Sequence, residues 1–147
     1  MSGMLSEISK ASIAITPTAG AAGTTTVNGT PVDMNGQDGV LFVVQMGTIA
    51  PGAVTSIKAQ QDTVVGMGAA ADIAGSGITV LDTDDDKTFL LEIIRPTKQF
   101  VRVVVVRGTA AATVSAVNLQ YGAALMPVTH GANVTAKRLV GPAEGTP

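Results

Sequence analysis

Gly39-Val40-Leu41-Phe42-Val43-Val44-Gln45-Met46 is the stretch that decides the fold. β-branched and aromatic residues suit the pleated, half-buried surface of a sheet. Side chains alternate along a strand, so Val40, Phe42, Val44 and Met46 share one face while Leu41 and Val43 share the other. A strand apolar on both sides is covered on both sides. One face meets a core, and the other meets a second layer or a partner subunit.

Similar runs follow on either side. Thr88-Phe89-Leu90-Leu91-Glu92-Ile93-Ile94 and Phe100-Val101-Arg102-Val103-Val104-Val105-Val106 read as strands. Residues 53–61 alternate as a half-exposed strand does, and Ile78-Thr79-Val80-Leu81 is a short one. Residues 113–121 alternate again, placing Thr113, Ser115, Val117, Leu119 and Tyr121 on one face. Residues 27–34 form a weak strand interrupted by Asn28-Gly29 and Pro31, and residues 12–16 a further short one. Turn signals separate these runs: residues 35–39, Pro51-Gly52, residues 82–87, Arg95-Pro96 with Thr97-Lys98-Gln99, and Arg107-Gly108. Residues 64–71 read as a short helix or a loop, with Gly66 and Gly68 each costing a helix about 1 kcal/mol.

Short strands with turns between them, and no amphipathic run of helix length, predict an all-β protein: an antiparallel sandwich or barrel. A doubly wound α/β fold would need helices between the strands. The organisation expected is a flexible N-terminal arm over residues 1–26, a β-sandwich domain over 27–127 and an extended C-terminal tail over 128–147. The arm is rich in Ser, Ala, Gly and Thr, and termini of that composition are generally disordered in the free protein.

The chain has 147 residues, enough for one domain that buries roughly two thirds of its unfolded surface without a metal or disulfide staple. Cysteine is absent, which removes disulfides, thiolate nucleophiles and zinc–thiolate sites. The formal net charge is −2, too weak a field to indicate nucleic acid or an anionic membrane as the partner. No stretch supplies the roughly 18 apolar residues of a membrane-spanning helix. The N-terminus lacks the basic and apolar regions of a secretory signal, so the triplets at Asn28 and Asn133 are not expected to be glycosylated. Only 14% of residues are charged against 46% hydrophobic, which suggests that part of the surface is covered by another chain.

Chemistry-bearing groups are sparse. Asp82, Asp84 and Asp86 alternate like the opening of a calcium loop and are the best-placed metal candidates. Lys87 stands where such a loop wants its sixth-position glycine, and Ile93 where it wants its twelfth-position glutamate. The competing reading is a solvated turn whose charges keep strand ends from pairing edge to edge. His130 is the only imidazole, too few for a cupin-type metal site, and no nucleophile elbow accompanies it, so a surface or interface histidine is expected. Gly75-Ser76-Gly77 lacks the basic residue and helix start of a phosphate loop and reads as a turn. Arg95, Lys98, Arg102 and Arg107 gather around two neighbouring strands and are the interface candidates. With only Phe42, Phe89, Phe100 and Tyr121 as aromatics, they do not read as a nucleic-acid surface. No catalytic residue and no cofactor is expected.

The stretch from Phe89 to Arg107 combines a strand, an Arg-Pro-Thr-Lys turn, Phe100-Val101-Arg102 and a Val-rich strand ending in Arg. With Ala116-Val117-Asn118-Leu119-Gln120-Tyr121-Gly122 it resembles small head decoration, or cement, proteins of tailed bacteriophages. The resemblance spans roughly residues 36–123. It implies a jelly-roll fold without an active site, a homotrimer on the exterior of an icosahedral capsid in the virion, and assembly in the host cytoplasm. It further implies that the protein bridges subunits of the major capsid protein by non-covalent contacts alone. Apolar side chains of the Val-rich strands would then make the trimer contact, and termini or loops the capsid contact. Two other readings stay open: a different virion subunit, such as a tail-tube or head-completion protein, and a carbohydrate-binding sandwich. The absence of Trp and the single Tyr argue against the latter.

Overall fold

The structure, a computed structural model, describes residues 4–139 and Glu144. One turn of helix, α1 (Leu5–Ile8), precedes ten strands: β1 (Lys10–Ile15), β2 (Val27–Asn28), β3 (Val32–Asp33), β4 (Gly39–Ile49), β5 (Val54–Asp62), β6 (Ala71–Asp72), β7 (Ile78–Val80), β8 (Thr88–Ile94), β9 (Phe100–Gly108) and β10 (Ala112–Tyr121). All pairings are antiparallel. The first sheet has the order β1-β10-β4-β8. In the second, β9 and β5 lie side by side, flanked by β2 and β3 on one edge and by β6 and β7 on the other. Counting each of those flanking pairs as one interrupted strand gives eight strands whose chain crosses between sheets as two interleaved Greek keys, the jelly roll.

The core lies between the sheets. Val40, Phe42, Val44 and Met46 of β4 face Ile57 and Ala59 of β5 and Val101, Val103 and Val105 of β9, all fully or nearly fully buried. The alternation that placed one face of β4 inward is therefore the one the fold uses. On β10 the inward set is Ala112, Val114, Ala116, Asn118 and Gln120. Gln120 Nε2 donates to the Asp33 carbonyl at 2.6 Å, and Ser12 Oγ donates to Asn118 Oδ1 at 2.7 Å, while Asn118 Nδ2 is buried without a partner among the described residues.

The structure departs from the sequence reading at the N-terminal end of the chain. β1 lies inside the segment expected to be a flexible arm, yet it is an edge strand of the first sheet, with Ala14 and Ile15 in the core. Residues 16–26 that follow it are also held, because the side chain of Arg107 bonds their carbonyls. The sequence marked residues 12–16 as a short strand, and its order here comes from pairing with β10. Beyond β10 the described part of the expected tail, residues 128–139, is extended and runs back along α1 and β1. Residues 64–70 form a loop, and Ala71 begins β6. The carboxylate of Asp62 organises that loop by accepting the amides of Thr63, Val64 and Ala69.

Candidate interaction face

The two outer faces of the sandwich differ in kind. On the first sheet the register places Ile13, Val117, Val43 and Leu90 in one row across all four strands. The next row is Ala11, Leu119, Leu41 and Glu92. Leu90 is 62% exposed, Ile94 61% and Val117 45%. A shallow depression of about 260 Å³ beside the first row is lined by Ile13, Ile15, Pro17, Val43 and Val117 among others. Glu92 is the charged group on these rows, and it is engaged by the Tyr121 hydroxyl at 2.6 Å. That hydrogen bond pushes the Tyr121 phenol up to about 12, with burial adding to it. This face has the composition of a strand surface meant to be covered.

The outer face of the second sheet carries a polar network beside the apolar Val54, Val104 and Val106. Arg102 donates through Nε and Nη2 to Gln60 Oε1 at 3.0 and 2.7 Å. Gln60 Nε2 donates to Asp72 Oδ1, and Lys58 Nζ pairs with Asp72 Oδ2, both at 2.8 Å. Those two hydrogen bonds hold the Asp72 carboxyl below its ordinary range. A closed network of this kind presents few unsatisfied groups to a partner.

The four cations singled out in the sequence do not form one strip. Arg95 and Lys98 line a depression of about 460 Å³ at one end of the sandwich, with Asn35, Gln37 and Thr97 among its other walls. Arg102 lies in the polar network just described. Arg107 is a correction: it is buried, and its guanidinium donates to the carbonyls of Thr25, Ala21 and Ala112 at 2.7–2.8 Å, so it is a structural clamp rather than an interface charge. It shares strand parity with Val101, Val103 and Val105, which directs it inward. Burial pulls its pKa below the ordinary value.

The acidic segment is also structural. Asp82 Oδ2 accepts the Gly52 amide at 2.8 Å, and Asp85 Oδ1 accepts the Ile49 amide at 2.8 Å. Asp84 is bonded by the Lys87 ammonium and by the Leu81 amide, and both hold its carboxyl below the ordinary range. Among the described residues no group of three acidic or histidine side chains converges as a metal site, so Asp82, Asp84 and Asp86 do not form one. Asp82 and Asp85 cap the β4–β5 turn instead, and Asp84 braces its own loop. Ser76 is buried in its turn, accepting the Ala59 amide and donating to the Ile73 carbonyl. His130 is half-buried, and its Nδ1 accepts the Ala11 amide of β1 at 3.0 Å.

The apolar row was half visible in the sequence. Leu41 and Val43 stood out as a second apolar face of β4, whereas the alignment of Ile13, Val117 and Leu90 beside Val43 required the register. No family model matches the chain, and no curated protein matches it. Among solved structures it resembles the crystal structure of PBSX exported protein XepA, with a TM-score of 0.51 and 13% identity over 96% of this chain. The chain spans less than half of that protein's length, 46%, and the likeness is one of fold.

Proposed function

We propose that this chain is a virion structural protein of a tailed bacteriophage that binds the outside of the capsid and stabilises it by bridging subunits of the major capsid protein. The observation that carries this reading is the asymmetry of the sandwich. One outer face carries apolar rows built from all four strands of a sheet, whereas on the other Arg102, Gln60, Asp72 and Lys58 form a polar network beside Val104 and Val106. Copies of the chain, three in the arrangement proposed, pack through the apolar face, which desolvates Ile13, Val43, Leu90 and Val117. The end loops and termini then reach the shell. The fold is shared with PBSX exported protein XepA. The contact is purely non-covalent, with no cofactor, nucleic acid or membrane involved.

Quantitative mass spectrometry of purified particles from the source of the gene tests this. The expected result is a copy number comparable to that of the major capsid subunit. A few copies per particle would assign the chain to a vertex, neck or tail instead, and absence from particles would overturn the virion reading.

A further inference from the structure

The first sheet has two edges, and the chain treats them differently. Among the described residues β8 pairs with β4 alone, which leaves its other edge open. At β1 the edge is capped by the chain's own C-terminal segment. Ala11, whose backbone groups point away from β10, is satisfied on both sides. Its amide donates to His130 Nδ1 at 3.0 Å, and its carbonyl accepts the Gly131 amide at 2.8 Å. Further bonds extend the clasp. The Val128 amide donates to the Glu7 carbonyl at 2.9 Å, and Arg138 donates through Nε to Ser6 Oγ and through Nη2 to the Ser6 carbonyl, both at 2.7 Å. Residues 128–139 are thus a strap laid along α1 and β1.

The strap fits loosely. A depression of about 410 Å³ lies between it and the sheet, walled by Leu5, Leu119, His130 and Val134 among others. Because Nδ1 of His130 accepts the hydrogen bond from the Ala11 amide, the hydrogen of the neutral imidazole sits on Nε2, and that atom is buried without a hydrogen-bond partner among the described residues. A buried donor left unpaired weakens the docking. The connection between β10 and the strap is also lightly held. Its described backbone bond is from the Ala124 amide to the Gly36 carbonyl, and it carries Leu125 at 86% exposure and Met126 at 57%.

We propose that the strap is exchangeable: residues 128–139 leave their own β1 and dock on the β1 edge of a second copy. Every contact made within one chain is remade between two, so the exchange sacrifices no clasp contact. Only the connection changes. Extended between two bodies, it brings Leu125 and Met126 into the new junction, where their apolar surface is covered. The second copy is the one partner whose complementarity is already on view, since the strap and its groove belong to the same sequence. The inference does not depend on what the protein binds.

The absence of cysteine gives a clean test. A Cβ at Gly131 would stand 2.8 Å from Ser12 Cβ, so a cysteine pair at these positions can close with a small shift of the strap. Full-length Ser12→Cys and Gly131→Cys single variants, distinguished by mass, are mixed at high protein concentration and oxidised. A Thr83→Cys variant mixed with Gly131→Cys serves as the control. The double variant Ser12→Cys/Gly131→Cys, oxidised when dilute, reports whether the bond forms within one chain. The expected result is an intrachain bond in the dilute double variant, and a mixed disulfide between the single variants several-fold above the control. An intrachain bond without that excess would overturn exchange. Failure of the dilute double variant to close would overturn the clasp itself.

Discussion

Tyr121 reaches across Gly39 to donate its hydroxyl to Glu92 Oε1, a contact that spans three strands. Gly39 stands directly opposite Tyr121 on β4, while Glu92 lies two pairs further along on β8. The ring occupies the space a side chain at position 39 would fill, since a Cβ there would stand 2.3 Å from the Tyr121 Oη. An aromatic ring covering a strand glycine offsets the packing that glycine lacks.

Chemistry follows from that contact. The phenol is held at about 12, against an ordinary 10, chiefly because its hydrogen bond to Glu92 needs the protonated form, with burial and the Glu92 charge adding to it. The folded pKa is raised, so the contribution of this group to stability is fully present below pH 10 and is lost as pH rises from 10 towards 12. With one Tyr and no Trp in the chain, ultraviolet difference titration reads this residue alone. The expected midpoint is near 12, and Glu92→Gln is expected to move it down towards the ordinary value. An unchanged midpoint in Glu92→Gln would remove Glu92 as the cause.

Gly39→Ala tests the same contact sterically. The added methyl displaces the ring, so the hydroxyl loses Glu92 and the sheet surface repacks. A loss of about 1–3 kcal/mol is expected in urea unfolding, in the range of other overpacked sites. The phenol titration should shift down in the same variant, which links the loss to this contact.

Arg107 offers a larger effect. Its guanidinium ties the β1–β2 connection to β10 through carbonyls of Ala21, Thr25 and Ala112. Arg107→Met keeps much of the volume but leaves those carbonyls without their charged donor. The expected cost is on the order of 3 kcal/mol in equilibrium unfolding. Faster amide exchange over residues 20–25 should accompany it, because this side chain adds to the backbone bonds that tie Gly20 and Gly23 to β10.

What the sequence made legible was local. The Val-rich runs and the alternation of β4 gave strands and a core face, because burial on a pleated surface selects the residues that fill it. The inward direction of Arg107 was readable from its parity with Val101, Val103 and Val105. Its role was not, because the carbonyls it binds come from a segment more than 80 residues away, at Thr25 and Ala21. The order of β1 was hidden for the same reason, its partner β10 lying at the other end of the chain. On β10, buried Asn118 and Gln120 share the inward face while Val117 and Leu119 look outward, so composition alone misassigns that strand. The jelly-roll order came from family resemblance rather than from spacing, since strand spacing does not encode which sheet each strand joins.

The apolar outer face yields the last prediction. Leu90 is exposed and lies opposite Val43, one strand removed from Val117. Leu90→Lys places a charge in the middle of the proposed copy–copy contact while disturbing little in the free chain, and a stability change within about 0.5 kcal/mol is expected for a surface site. If the apolar face joins copies of this chain, the variant should lower the oligomeric state seen by light scattering and its recovery on sedimented particles. Ser56→Lys, on the outer face of the second sheet, should leave both unchanged. The pair separates a specific surface from a general effect of added charge. Equal loss in both variants would point to electrostatics, whereas retention in Leu90→Lys would remove the apolar row from the contact.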